Sequence, residues 1–174
     1  MLASAIAKAA LLRGEFVLRS GRTSRYYLDK YLFSTRPEVL GPLSEFFAEA
    51  IHGLSGGPVQ RLAGAELGGI PLVTATSLKT GLPCIFIRNK KKDYGTAKQL
   101  EGVVNPGDRV VLLEDIATTG GQALEAVEVL REAGANVLAV IATIDRLEGA
   151  RENMDKAGVP FHSLFTKRDL GIDE

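Results

Sequence analysis

The run Val110-Val111-Leu112-Leu113 contains no polar residue, and the runs Cys84 to Ile87 and Val137 to Ile144 come close to the same character. A strand with one face in water alternates apolar and polar side chains. A continuous apolar run belongs to a strand covered on both faces, which is the situation in a parallel sheet. Helix-like segments separate these runs. Gly69 to Leu78 fits a small helix with Pro71 tolerated in its first turn. Gln122 to Ala133 fits a second, ended by Gly134, and Glu148 to Ala157 a third. Leu62 to Ala65 and Phe161 to Phe165 read as further strands. Alternating units of this kind predict an α/β fold with a central, mainly parallel sheet flanked by helices.

The amino-terminal third is patterned differently. Leu2, Ile6, Ala9, Ala10 and Leu12 suit an amphipathic helix stopped by Gly14. Phe16 to Leu28 reads as short strands broken by the turn signal Ser20-Gly21. Pro37 opens a longer helix, with Thr35 a candidate cap and an apolar face from Val39 to Leu54. The 174 residues suit a single domain, with no repeat, low-complexity segment or linker. The 21 basic and 21 acidic residues cancel, so nothing draws the whole molecule to nucleic acid or to a membrane surface. No apolar stretch approaches the roughly 20 residues of a membrane span, and Lys8 interrupts the apolar start, so a cytoplasmic location is expected. The lone Cys84 cannot form an internal disulfide and is expected to be a buried, inert thiol.

The chemistry concentrates after the apolar run at 110–113, in Glu114-Asp115-Ile116-Ala117-Thr118-Thr119-Gly120-Gly121-Gln122. Ligands of open α/β sheets bind beyond the carboxyl ends of the strands. A turn from Ala117 to Gly121 at a helix N-terminus offers free N–H groups and a favourable dipole to a phosphate. Thr118 and Thr119 add hydroxyl donors. No Lys precedes Ser or Thr here and there is no G-x-G-x-x-G, which excludes the nucleoside triphosphate P-loop and the dinucleotide fingerprint. The two carboxylates, one sugar-length from the phosphate turn, suit ribose hydroxyls and positive charge on a ribose ring.

This string resembles the phosphoribosyl pyrophosphate (PRPP) motif of type I phosphoribosyltransferases. The resemblance implies that fold, with Glu114 and Asp115 on the ribose diol and Ile116 to Gln122 cradling the 5-phosphate. Three further stretches resemble orotate phosphoribosyltransferases. Phe16 to Asp29 is similar to their amino-terminal signature, with Arg19 where Lys is usual and Tyr26 and Tyr27 beside the pyrimidine. This makes about 1–35 a small amino-terminal hood over the base. Arg88-Asn89-Lys90-Lys91-Lys92-Asp93-Tyr94-Gly95 resembles their long, flexible catalytic loop, matching at Arg88, Lys92, Tyr94 and Gly95 and departing at Asn89. The 88–101 segment would then reach across the interface of a homodimer. Asp145-Arg146 supplies an Arg for the orotate carboxylate, assisted by Thr118. Gly64 to Pro71 resembles the pyrophosphate loop, with Gly68 where some relatives carry Lys.

The implied reaction joins PRPP and orotate, with Lys92, Arg88, Asp115 and Glu114 as catalytic residues. Mg²⁺ is the implied cofactor, held by substrate phosphates and water rather than by a dedicated protein cage. His52 and His162 are isolated in the sequence. Two other functions fit the same PRPP string: transfer to another nucleobase, or a PRPP-sensing regulator that lost catalysis.

Overall fold

A computed structural model describes residues 1–17, 21, 23–89 and 99–173. Its elements in chain order are α1 (Leu2–Ala10), β1 (Leu11–Val17), β2 (Thr23–Leu28), α2 (Lys30–Ser34), α3 (Pro37–His52), β3 (Arg61–Ala65), α4 (Gly69–Thr80), β4 (Cys84–Ile87), β5 (Leu100–Glu101), β6 (Arg109–Ala117), α5 (Gly121–Glu132), β7 (Asn136–Asp145), α6 (Ala150–Lys156) and β8 (Phe161–Thr166), with a 3₁₀ turn at Lys167–Leu170. Six strands form one sheet in the order β5-β4-β3-β6-β7-β8. All neighbours are parallel except the short β5, which is antiparallel to β4.

The uniform apolar character of β6 follows from its two neighbours in depth. Val111 and Leu113 enter the core shared with α1, α3 and α4, where Ile6, Leu43, Phe47, Leu72 and Val73 are buried. Val110 and Leu112 enter the core shared with α5 and α6, with Val127, Leu130 and Met154. Successive side chains of a strand point to opposite faces, so a strand covered twice has no place for a polar residue until it reaches the sheet's end.

The amino-terminal segment departs from its helical spacing. The first helix ends at Ala10, and the chain turns straight into β1, which pairs antiparallel with β2. Leu12 therefore lies on a strand, and Gly14 does not stop a helix. It sits at a register shift between Arg13 and Phe16 with φ +155°. That value suits glycine at a bulge. The separate helix α2 also went unread: the Asp29 carboxylate accepts from the Tyr31 N–H at 3.1 Å and caps it. Thr35 does not cap α3. Its hydroxyl donates back to the Tyr31 carbonyl at 2.6 Å, and Arg36 takes the cap position ahead of Pro37. Cys84 is half-buried rather than buried. Among the described residues, no helix is long and apolar enough to cross a membrane.

Candidate active site

The chain runs from β3 outward to β4 on one side, then returns to place β6 on the other side of β3. The connections therefore diverge at the carboxyl ends of β3 and β6, which opens a crevice between them. A cavity occupies it, lined by Glu66 and Gly68 after β3, Arg88 after β4, Glu114 and Asp115 of β6, Gln122 of α5 and Lys30 of α2.

β6 continues to Ala117, so Glu114 and Asp115 stand inside the strand rather than beyond its end. The phosphate turn shortens to 118–120, and α5 starts at Gly121, one residue before the expected Gln122. The cause is main-chain pairing: β6 stays registered with β7 as far as Ala117 opposite Asp145. Asp145-Arg146 accordingly lies beside Ala117, not beside Glu114, and the Arg146 N–H donates to the Ala117 carbonyl at 3.0 Å.

A second hollow adjoins the cavity through Glu114, which lines both. It is formed by Ile116, Ala117, Thr118, Thr119, Gly120, Gly121 and Gln122, the residues expected to cradle a phosphate. Gly120 precedes α5 with φ +80° and offers no side-chain cap, which leaves the first N–H groups of a twelve-residue helix to a ligand. Glycine suits the position, because φ is positive and a Cβ would stand 3.1 Å from the Met154 Cε. Asn153 steadies the turn by donating to the Thr119 carbonyl at 2.8 Å.

The two carboxylates have different surroundings. Asp115 is 2% exposed; its Oδ1 accepts from the Ile116 N–H at 2.6 Å, and its Oδ2 lies 3.0 Å from Lys30 Nζ. That second contact is a charge pair without hydrogen-bond alignment. Glu114 Oε1 accepts from the Asp115 N–H at 3.1 Å. Burial pushes the Glu114 carboxyl up to about 8, and the neighbouring Asp115 carboxylate adds to the rise. The folded state thus holds a proton on Glu114 between the ordinary value of 4.5 and about 8, where the unfolded chain has released it. Stability must fall as pH rises through that window. Urea unfolding of the ligand-free protein at about pH 5 and about pH 9 is expected to show this fall in the wild type and a flatter dependence in Glu114→Gln. Equal slopes would remove Glu114 as its source.

The base of the 88–101 segment is held beside the cavity. The Arg88 N–H donates to the Gln99 carbonyl at 2.8 Å, and Gln99 Nε2 donates to the Arg88 carbonyl at 2.9 Å. The Asn89 N–H donates to Glu66 Oε1 at 2.6 Å. Arg88 Nε is buried without a hydrogen-bond partner among the described residues, while its guanidinium stands 3.8 Å from Glu101. Arg19, Lys92 and Tyr94 lie outside the described residues.

Tyr26 and Arg146 meet across 120 residues of chain. Arg146 Nη2 donates to the Tyr26 hydroxyl at 3.1 Å, and its guanidinium carbon lies 5.6 Å from the Tyr26 ring centroid. Glu148 holds the other side of the guanidinium, 3.1 Å from Nε. Tyr27 is not brought to this pair. It leaves the opposite side of β2, is 45% exposed and packs its ring against Phe16. Lys30 and Glu66 were not recognised from the sequence. The available signal was Lys30 itself, a cation at the first position of a helix, where the dipole disfavours it.

A family model described as the phosphoribosyl transferase domain matches residues 43–162. An orotate phosphoribosyltransferase from Natronomonas pharaonis is 48% identical over 160 residues, which cover 92% of this chain and 89% of that protein. The chain belongs to the orotate phosphoribosyltransferase family. Among solved structures, the orotate phosphoribosyltransferase of Aeropyrum pernix shares its fold with TM-score 0.85 and 33% identity over 98% of this chain and 96% of that one. The Mycobacterium tuberculosis orotate phosphoribosyltransferase in complex with PRPP does so with TM-score 0.83 and 28% identity, over 98% and 97% of the two chains. In this family member, the sheet order brings the carboxylate cavity, the hollow at the start of α5 and the Tyr26–Arg146 pair to one end of the molecule.

Proposed function

We propose that this chain transfers the 5-phosphoribosyl group of PRPP to orotate, giving orotidine 5′-monophosphate and pyrophosphate. The observation that carries this reading is Glu114 lining both the cavity and the hollow at the start of α5. A sugar held at Glu114 and Asp115 has its 5-phosphate within reach of the free amides of 118–122. The bond from ribose C1 to the diphosphate breaks as the pyrimidine nitrogen bonds to C1, so cationic character builds on the ribose and negative charge on the leaving group. Asp115, paired with Lys30, faces the first, and Arg88 faces the second. Catalysis rests on this positioning and charge placement rather than on a covalent nucleophile.

Arg146 offers a planar fork to the orotate carboxylate, and Tyr26 presents an aromatic face and a hydroxyl beside it. From the family pattern, Thr118 completes the proposed orotate set and Arg19 joins the proposed PRPP contacts. The hard carboxylate oxygens of Asp115 suit Mg²⁺, which would sit mainly on diphosphate oxygens and water and supply charge neutralisation there. The reading also includes a cytoplasmic homodimer in which the 88–101 segment, with Lys92 and Tyr94, acts on the partner's site.

Incubation with PRPP and Mg²⁺ plus orotate, adenine, guanine or uracil is the direct test. Consumption of orotate is expected. Turnover of a purine in its place would overturn the choice of base, and PRPP binding without any turnover would favour a sensor. Lys92→Ala is expected to lower kcat far more than it weakens orotate binding, as for a residue acting in a closing loop. Wild-type turnover in that variant would count against its role.

A further inference from the structure

The cavity at the switch point has more acidic than basic side chains for a site that must receive a diphosphate. Its described lining includes the carboxylates of Glu66, Asp115 and Glu125 and the protonated Glu114, against two cations, Arg88 and Lys30. The loop after β3 adds none, because position 68 is glycine. The space a side chain would need there is already taken: a Cβ on Gly68 would lie 1.5 Å from Asp115 Oδ2. That same oxygen is 3.0 Å from Lys30 Nζ.

Lys30 is placed there by its local structure. Asp29 caps α2 and fixes Lys30 as its first residue, directly after β2. A cation in that position works against the helix dipole, so local structure gives no reason for it. Burial pulls the Lys30 ammonium down, but its acidic neighbours together, Asp115 first among them, outweigh it and the net shift is upward, so the group stays charged. Its side chain remains 34% exposed, on the cavity side of a carboxylate that is 2% exposed. An ammonium has three donors, and the Asp115 contact is not aligned as a hydrogen bond.

We propose that Lys30 is a further substrate-contacting residue, which binds the diphosphate of PRPP and supplies the positive charge that the glycine-rich 64–69 loop lacks. Asp115 then faces the ribose, while the Lys30 ammonium beside it is turned to the diphosphate. The proposal rests on the PRPP reading above.

The test separates the two halves of the donor. Inorganic pyrophosphate and ribose 5-phosphate are titrated calorimetrically, each in the presence of Mg²⁺, into the full-length wild type, Lys30→Met, Lys30→Arg, Asp115→Asn and Lys30→Met/Asp115→Asn. Lys30→Met is expected to weaken pyrophosphate about tenfold or more, as for loss of one charge-assisted hydrogen bond, and to change ribose 5-phosphate little. Lys30→Arg should retain most of the pyrophosphate affinity. Asp115→Asn should weaken ribose 5-phosphate and keep pyrophosphate, and only the double variant should lose both. If Lys30→Met leaves an orphaned Asp115 that prevents folding, comparing the double variant with Asp115→Asn answers the same question. Unchanged pyrophosphate affinity, or equal loss of both ligands in Lys30→Met, would reduce Lys30 to a support for Asp115 and overturn the proposal. A wild type that binds neither ligand nor PRPP would overturn the functional reading as well.

Discussion

Gly68→Ala is expected to cut turnover by roughly 10²- to 10³-fold, the loss that accompanies removing or misplacing one pre-positioned charged group. The backbone is not the reason, since Gly68 has φ −68° and ψ −28°, a conformation open to alanine. The reason is the 1.5 Å between the added Cβ and Asp115 Oδ2, with Asp115 Cγ only 2.6 Å away. The carboxylate must swing out, and doing so breaks its hydrogen bond from the Ile116 N–H and its charge pair with Lys30. Steady-state assay with PRPP and orotate checks the rate, and circular dichroism checks that the fold persists. Wild-type turnover in a folded Gly68→Ala would mean that the position of Asp115 does not matter to the reaction.

The second large effect falls on stability. Gly64, in the middle of the sheet between Phe86 of β4 and Leu113 of β6, faces the start of α4. A Cβ there would meet the Gly69 carbonyl oxygen at 2.5 Å, its carbon at 2.9 Å and Val73 Cγ1 at 2.8 Å. Two of these three are backbone atoms and cannot rotate away, so α4 must lift from the strand. Gly64→Ala is therefore expected to cost about 3 kcal/mol, the upper part of the usual range for overpacking. For a domain of this size the melting temperature should fall by roughly 6–12 °C. Thermal unfolding followed by circular dichroism checks it, and an unchanged midpoint would mean that helix and strand are not in the contact described. The pair of glycines at 64 and 69 thus has a packing role, whereas Gly68 keeps space for the Asp115 carboxylate.

Local order carried much of this molecule's design in plain view. The apolar run 110–113, two acids, a short turn of small residues and a helix are neighbours in sequence. Strand, turn and dipole physics act over a few residues, so a hollow at the start of α5 could be read directly. The alternation of buried strands with helices likewise pointed to a parallel sheet, because burial on both faces removes the polar positions of a strand. The same local reasoning placed the boundaries of β4 correctly, yet it extended α1 too far. Leu11 to Val17 form a strand because β2 offers them hydrogen bonds, and helical spacing cannot register a partner that arrives later in the chain.

What remained hidden depended on pairing between distant segments. Tyr26 and Tyr27 are adjacent and chemically alike, but the pleat sends them to opposite sides, and only Tyr26 reaches Arg146. Lys30 looked like an ordinary surface lysine until tertiary packing set α2 against β6 and brought it to Asp115. Side-chain chemistry and short-range geometry are properties of the chain itself. Which charges share one cavity is decided by the order in which the strands assemble.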